Sequence, residues 1–65
     1  MLYVVTADRP DGMTGRSYLK GFSAGLPATT PFEDEAAKMD HGQALRALQM
    51  VARAFHGYRV EPYSA

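Results

Sequence analysis

The sequence predicts a single small α+β domain over residues 1–65, with a three-stranded antiparallel sheet of order 2-1-3 and one main amphipathic helix across one face, in the sequence ββ(α)αβ. Three observations carry that expectation. The first 22 residues hold two β-rich runs around a Pro/Gly turn. The middle holds two helix starts, each with a reciprocal cap. The C-terminal stretch alternates in strand fashion.

The first strand is Leu2 to Thr6, rich in β-branched and aromatic side chains, and it runs into Asp8-Arg9-Pro10-Asp11-Gly12, where Pro and Gly fix a turn that Asp can cap. Gly15 to Phe22 is the second strand, weakened by two glycines and so expected at an edge with a bulge. Together they form a hairpin. Ser23 to Thr30, dominated by Gly, Ala, Thr and Pro, reads as a loop.

Thr30-Pro31-Phe32-Glu33 places Thr at an N-cap, Pro at the first helical position and Glu three residues after the cap, so a short helix is expected at Pro31 to Lys38. Asp40-His41-Gly42-Gln43 repeats the device. It opens the main helix, His41 to His56, which Gly57 ends as a left-handed stop. Its apolar stripe is Ala44, Leu48, Val51 and Phe55, widened by Leu45 and Ala52. Tyr58 to Tyr63 is the last strand, with Pro62 marking an edge or an end. Leu2, Val4, Leu19, Tyr58 and Val60 are the expected covered side of the sheet. Strand two admits the opposite parity, with Tyr18 and Phe22 as its core pair.

Length and composition bound the function. A 65-residue chain buries only about 60% of its unfolded surface, and its core supplies ~3–5 kcal/mol. With no cysteine it has neither a disulfide framework nor a thiolate metal site, so homodimerisation is one remaining reinforcement. A formal charge of zero argues against wrapping in nucleic acid by bulk charge. The apolar opening is too short for a secretory leader and no run spans a membrane, so a cytoplasmic location is expected.

No residue pattern carries a reaction, and no cofactor is expected. Ser17, Ser23 and Ser64 stand in no nucleophile elbow. His41 and His56 are explained by helix punctuation, the second by the negative end of the helix dipole. Asp8, Asp11 and Gly12 lack the further ligands of a calcium loop, and Gly12, Gly15 and Arg16 lack the lysine of a phosphate loop. Glu33, Asp34 and Glu35 compensate the dipole of the short helix.

The segment entering the main helix has Ala36, Ala37, Met39, Asp40 and Ala44 in an "eA-x-x-f-d-x-x-x-A" pattern. In this it resembles many small phage and prophage proteins, with Met39 where an aromatic is usual. That resemblance implies an inhibitor or modulator of a host enzyme or defence complex, anti-CRISPR proteins included. Met1 to Arg9 is similar to the start of YCII-like proteins, which implies a dimeric α+β barrel and a small enzyme. No residues here match that family's catalytic His and Asp region.

Two surfaces are therefore the functional candidates. On the helix, Arg46, Gln49, Met50 and Arg53 lie opposite the apolar stripe, and Arg and Met are both enriched at protein interfaces. On the open sheet face, Tyr3, Tyr18, Lys20, Phe22, Arg59 and Tyr63 interleave rings with cations. That set suits a dimer or protein contact, or alternatively stacking on single-stranded nucleic acid. The leading expectation is a non-enzymatic module bound to a larger host protein.

Overall fold

The computed structural model describes residues 1–8 and 15–63, so the expected turn around Pro10 and Gly12 and the terminal Ser64 lie outside the described residues. The elements run β1 (Tyr3–Asp8), β2 (Arg16–Ser23), β3 (Leu26–Thr30), a 3-10 turn (Glu33–Glu35), α1 (His41–Val51) and β4 (Arg59–Pro62). The antiparallel sheet has four strands in the order β3-β2-β1-β4. The expected order of the first, second and last strands is therefore present, with one strand added outside β2.

That added strand corrects the reading of Ser23 to Thr30 as a loop. Ala24 and Gly25 both have positive φ, 52° and 79°, which is the two-residue hairpin turn whose twist matches its flanking strands. Opposite β2, Leu26–Thr30 needs no apolar alternation, because an edge strand tolerates Pro and half-exposed small residues. β2 carries the expected bulge between Leu19 and Gly21, which leaves Lys20 without a partner. β2 is an inner strand, not an edge.

A bulge bends its strand. β2 pairs with β1 only from Arg16 to Tyr18, and beyond that the segment before α1 fills the gap. The Ala37 N–H donates to the Leu19 carbonyl at 2.9 Å, and Met39 exchanges backbone hydrogen bonds of 2.7 and 2.9 Å with Tyr3. This use of 36–39 replaces the expected helix at Pro31 to Lys38. Only Glu33–Glu35 coils, and Thr30 ends β3 instead of capping through Glu33. The Thr30 hydroxyl accepts from the Phe32 N–H at 3.2 Å and donates to Glu35 Oε1 at 2.9 Å.

α1 starts as the sequence dictates. Asp40 Oδ1 accepts from the Gln43 N–H at 2.8 Å and Gln43 Oε1 accepts from the Asp40 N–H at 3.4 Å. It ends at Val51, five residues before the expected His56. A helix of sixteen residues would reach about 24 Å at 1.5 Å per residue. That overshoots the return to β4, which must begin with Arg59 beside Thr6. The chain instead tightens through Arg53 N–H to Met50 O and Ala54 N–H to Val51 O, and Gly57, at φ 86°, reverses it into β4. His56 thus lies outside α1, and the helix-dipole reading of it falls.

The core is Val5, Leu19, Ala44, Ala47 and Val51, with Tyr3, Met39, Leu48, Tyr58 and Val60 packed around it. Ala44, Leu48 and Val51 were expected; Ala47 replaces Leu45, Ala52 and Phe55, which are exposed. Phe55 follows the early helix end out of the core. Its ring lies 6.0 Å from that of Tyr58. On β1 the expected parity is reversed, since Tyr3 and Val5 face the helix, Leu2 is exposed and Val4 is buried on the far side. The cause is physical. β1 is central and Val4, Val5, Thr6 and Ala7 are all buried, so a period of two cannot show which face the helix takes.

Candidate functional site

Directly opposed residues of antiparallel strands share a face, so the register places Thr30, Tyr18, Thr6 and Arg59 in one row across all four strands, on the side away from α1. Asp8, Arg16, Val4 and Glu61 flank that row. Four of these side chains close a ring of charge. Glu61 Oε1 accepts from Arg16 Nη1 at 2.5 Å and Glu61 Oε2 from Arg59 Nε at 2.5 Å. Asp8 Oδ1 lies 3.8 Å from Arg16 Nε and 3.5 Å from Arg59 Nη2. The ring spans β2 to β4 over β1, where Thr6 is fully buried and its hydroxyl donates to the Ser17 carbonyl at 3.0 Å.

The electrostatics follow from those contacts. Hydrogen bonds from Arg59, then from Arg16, hold the Glu61 carboxyl below the ordinary glutamate range, against a smaller opposing effect of burial. The same bond from Arg59 to Glu61 pushes the Arg59 guanidinium further up. Two cations and two carboxylates sum to zero, so this ring offers no net charge to an anionic ligand.

The six aromatic and basic residues expected on the open face are not brought together. Tyr18 and Arg59 lie on it, with Arg59 engaged in the ring. Tyr3 is on the opposite side, in the core, its ring 4.9 Å from that of His41. That placement corrects the expectation for Tyr3, and it follows from the reversed parity of β1. Lys20 is exposed at the bulge, and Phe22 is exposed on the part of β2 beyond its pairing with β1. Lys38 Nζ sits 5.0 Å from the centroid of the half-buried Tyr63 ring.

The helix candidates fare differently. Arg46, Gln49, Met50 and Arg53 are all exposed, on the side of the coil opposite Ala44, Ala47, Leu48 and Val51. Arg53 stands two residues past Val51, in the tightened coil. Among the described residues, Arg16 and Arg59 are held by carboxylates, whereas Arg46 and Arg53 make no ion pair. Its position opposite the apolar stripe located this face in the sequence.

A polar depression of about 150 Å³ lies between Arg16, Ser17, Thr29, Thr30 and Pro31. It is about half the smallest volume usual for a small-molecule site, and its one cation already belongs to the ring. The Ser17 hydroxyl is hydrogen-bonded to the Tyr58 hydroxyl at 2.9 Å. No group of three His, Cys, Asp or Glu side chains among the described residues is placed to hold a metal ion. Nor is any helix of the described residues long and apolar enough to cross a membrane. No family model, curated protein or solved structure matches this chain.

Proposed function

We propose that this chain is a non-enzymatic interaction module that binds a larger protein through the outer face of α1. One observation carries the reading: of the four described arginines, two are consumed inside the molecule, and two, Arg46 and Arg53, are exposed on α1 and the coil after it with no ion pair among the described residues. Between them Met50 is 48% exposed, and a thioether is an adaptable apolar contact. The resemblance of the segment before α1 to small phage and prophage proteins makes a host enzyme or defence complex the partner, and occlusion of its surface the effect.

The test is a pull-down from host-cell lysate with the wild-type chain and an Arg46→Glu/Arg53→Glu variant, at about 0.1 M salt with nuclease added. The wild type retains a protein that the variant loses, while circular dichroism shows both folded. Identical catches would remove the helix face as the contact. A catch abolished by the nuclease would favour the nucleic-acid alternative.

A further inference from the structure

α1, His41–Val51, contains no acidic residue. Arg46 and Arg53 are seven positions apart, about two turns of coil or roughly 10 Å at helical rise, with Arg53 two residues past the end of α1. The hydrogen bonds Arg53 N–H to Met50 O and Ala54 N–H to Val51 O keep the coil running past Val51. The exposed Met50 and Gln49 thus lie between the two arginines along the coil.

We infer that the occupant of this face is an acidic polypeptide segment that sets two carboxylates about two helical turns apart on either side of an apolar side chain. This rests on α1 being the contact surface. Each guanidinium donates two parallel hydrogen bonds to a carboxylate, and Met50 supplies the apolar seat between them.

A second copy of the chain fits poorly. A two-fold contact through this face opposes arginines to arginines, because the same patch meets itself. The carboxylates of Glu33, Asp34 and Glu35 lie in a different element, so a second copy would have to offer a different patch from the one it meets. Nucleic acid fits less well too. Two cations release counterions from about two phosphates, where such complexes commonly engage 6–10, and a methionine is no stacking platform for bases.

The test uses the full chain, isotopically labelled, titrated at about 0.05 M salt with three probes. The first is a synthetic helical peptide with Glu at two positions seven apart and Leu between them. The second is the same peptide with Lys for Glu, and the third is an oligouridylate. The Glu peptide shifts the amides of residues 45–53 saturably, and the Lys peptide and the oligouridylate do not. An Arg46→Gln/Arg53→Gln variant, folded by circular dichroism, binds the Glu peptide about tenfold more weakly, the effect of losing two exposed charge pairs. Equal binding of the Lys peptide, shifts scattered outside 45–53, or a response to the oligouridylate alone would overturn the inference. A lysate partner that depends on Arg46 and Arg53 but is not displaced by the Glu peptide would leave the interaction module standing and remove its acidic ligand.

Discussion

Glu61 joins two arginines from two strands while about a third of its side chain, 29%, remains in solvent. Its depressed pKa has a definite sign in stability. A carboxyl whose folded pKa lies below its unfolded value, about 4.3, contributes stability that is present above that value and is lost as pH falls through the folded pKa. Partial exposure screens the ring, so the contribution at neutral pH is about 1 kcal/mol. Unfolding free energies of wild type and Glu61→Gln from urea titrations should therefore differ by that amount at pH 7 and converge as pH falls through the lowered folded pKa. A constant gap across the acid range would show that the carboxylate charge has no part in it. Part of this ring was legible, since Arg59 and Glu61 are two apart on a strand and must share a face. The contribution of Arg16 and Asp8 was hidden, because it depends on how three strands align. Arg59, a free cation on the sequence reading, is neutralised by partners that only the register brings within reach.

At the scale of elements, the start of α1 is a local event and was readable. Both halves of the capping box lie within four consecutive residues, Asp40 to Gln43. Asp40→Ala should cost about 1 kcal/mol, read as a lower denaturant midpoint with unchanged slope. An unchanged midpoint would mean that the packing of 37–39 against Tyr3 and Leu19 alone fixes the helix entry. β3 was not readable, because its Pro27 mimics a loop while serving as an edge guard. Leu26 closes the two-residue turn opposite Ser23, so the next pair, Phe22 with Pro27, is a non-bonded one, and the backbone of residue 27 faces outward. The same geometry recurs on β4. Tyr3 directs its N–H and C=O to Met39, so its opposite, Pro62, faces away from β1. Each open edge thus carries a proline at an outward position, where its missing N–H denies a donor to another strand. Pro27→Val restores that donor, and light scattering should show more concentration-dependent self-association than in the wild type. A Pro27→Val chain that self-associates no more than the wild type would refute the guard. These edges leave the faces, not strand addition, as the route to a partner.

The whole molecule measures 30 × 28 × 17 Å, one helix thick over one sheet, and β1 runs through its middle with a different cover on each side. α1 seals Val5 with apolar contacts, and on the other face Val4 and Thr6 are buried in the rows beside the charged ring. That double burial is why the architecture could be read in outline from alternation and caps while the facing of its central strand could not. It also concentrates the stability in few side chains. Val51 is fully buried in the core cluster at the end of α1, and Val51→Ala should cost about 2 kcal/mol. Set against the ~3–5 kcal/mol expected of so small a core, that loss brings the unfolded population into view, as a lowered thermal midpoint with a pre-transition slope. The opposite face of the same helix predicts the opposite pairing of effects. Arg46→Glu/Arg53→Glu touches no buried contact, so it should move stability by less than about 0.5 kcal/mol while abolishing capture of the partner. Val51→Ala should weaken capture only in proportion to the fraction unfolded, and cooling should restore it. A charge-reversed chain that melts as early as Val51→Ala would place the guanidinium stems inside the fold and remove α1 as the binding face.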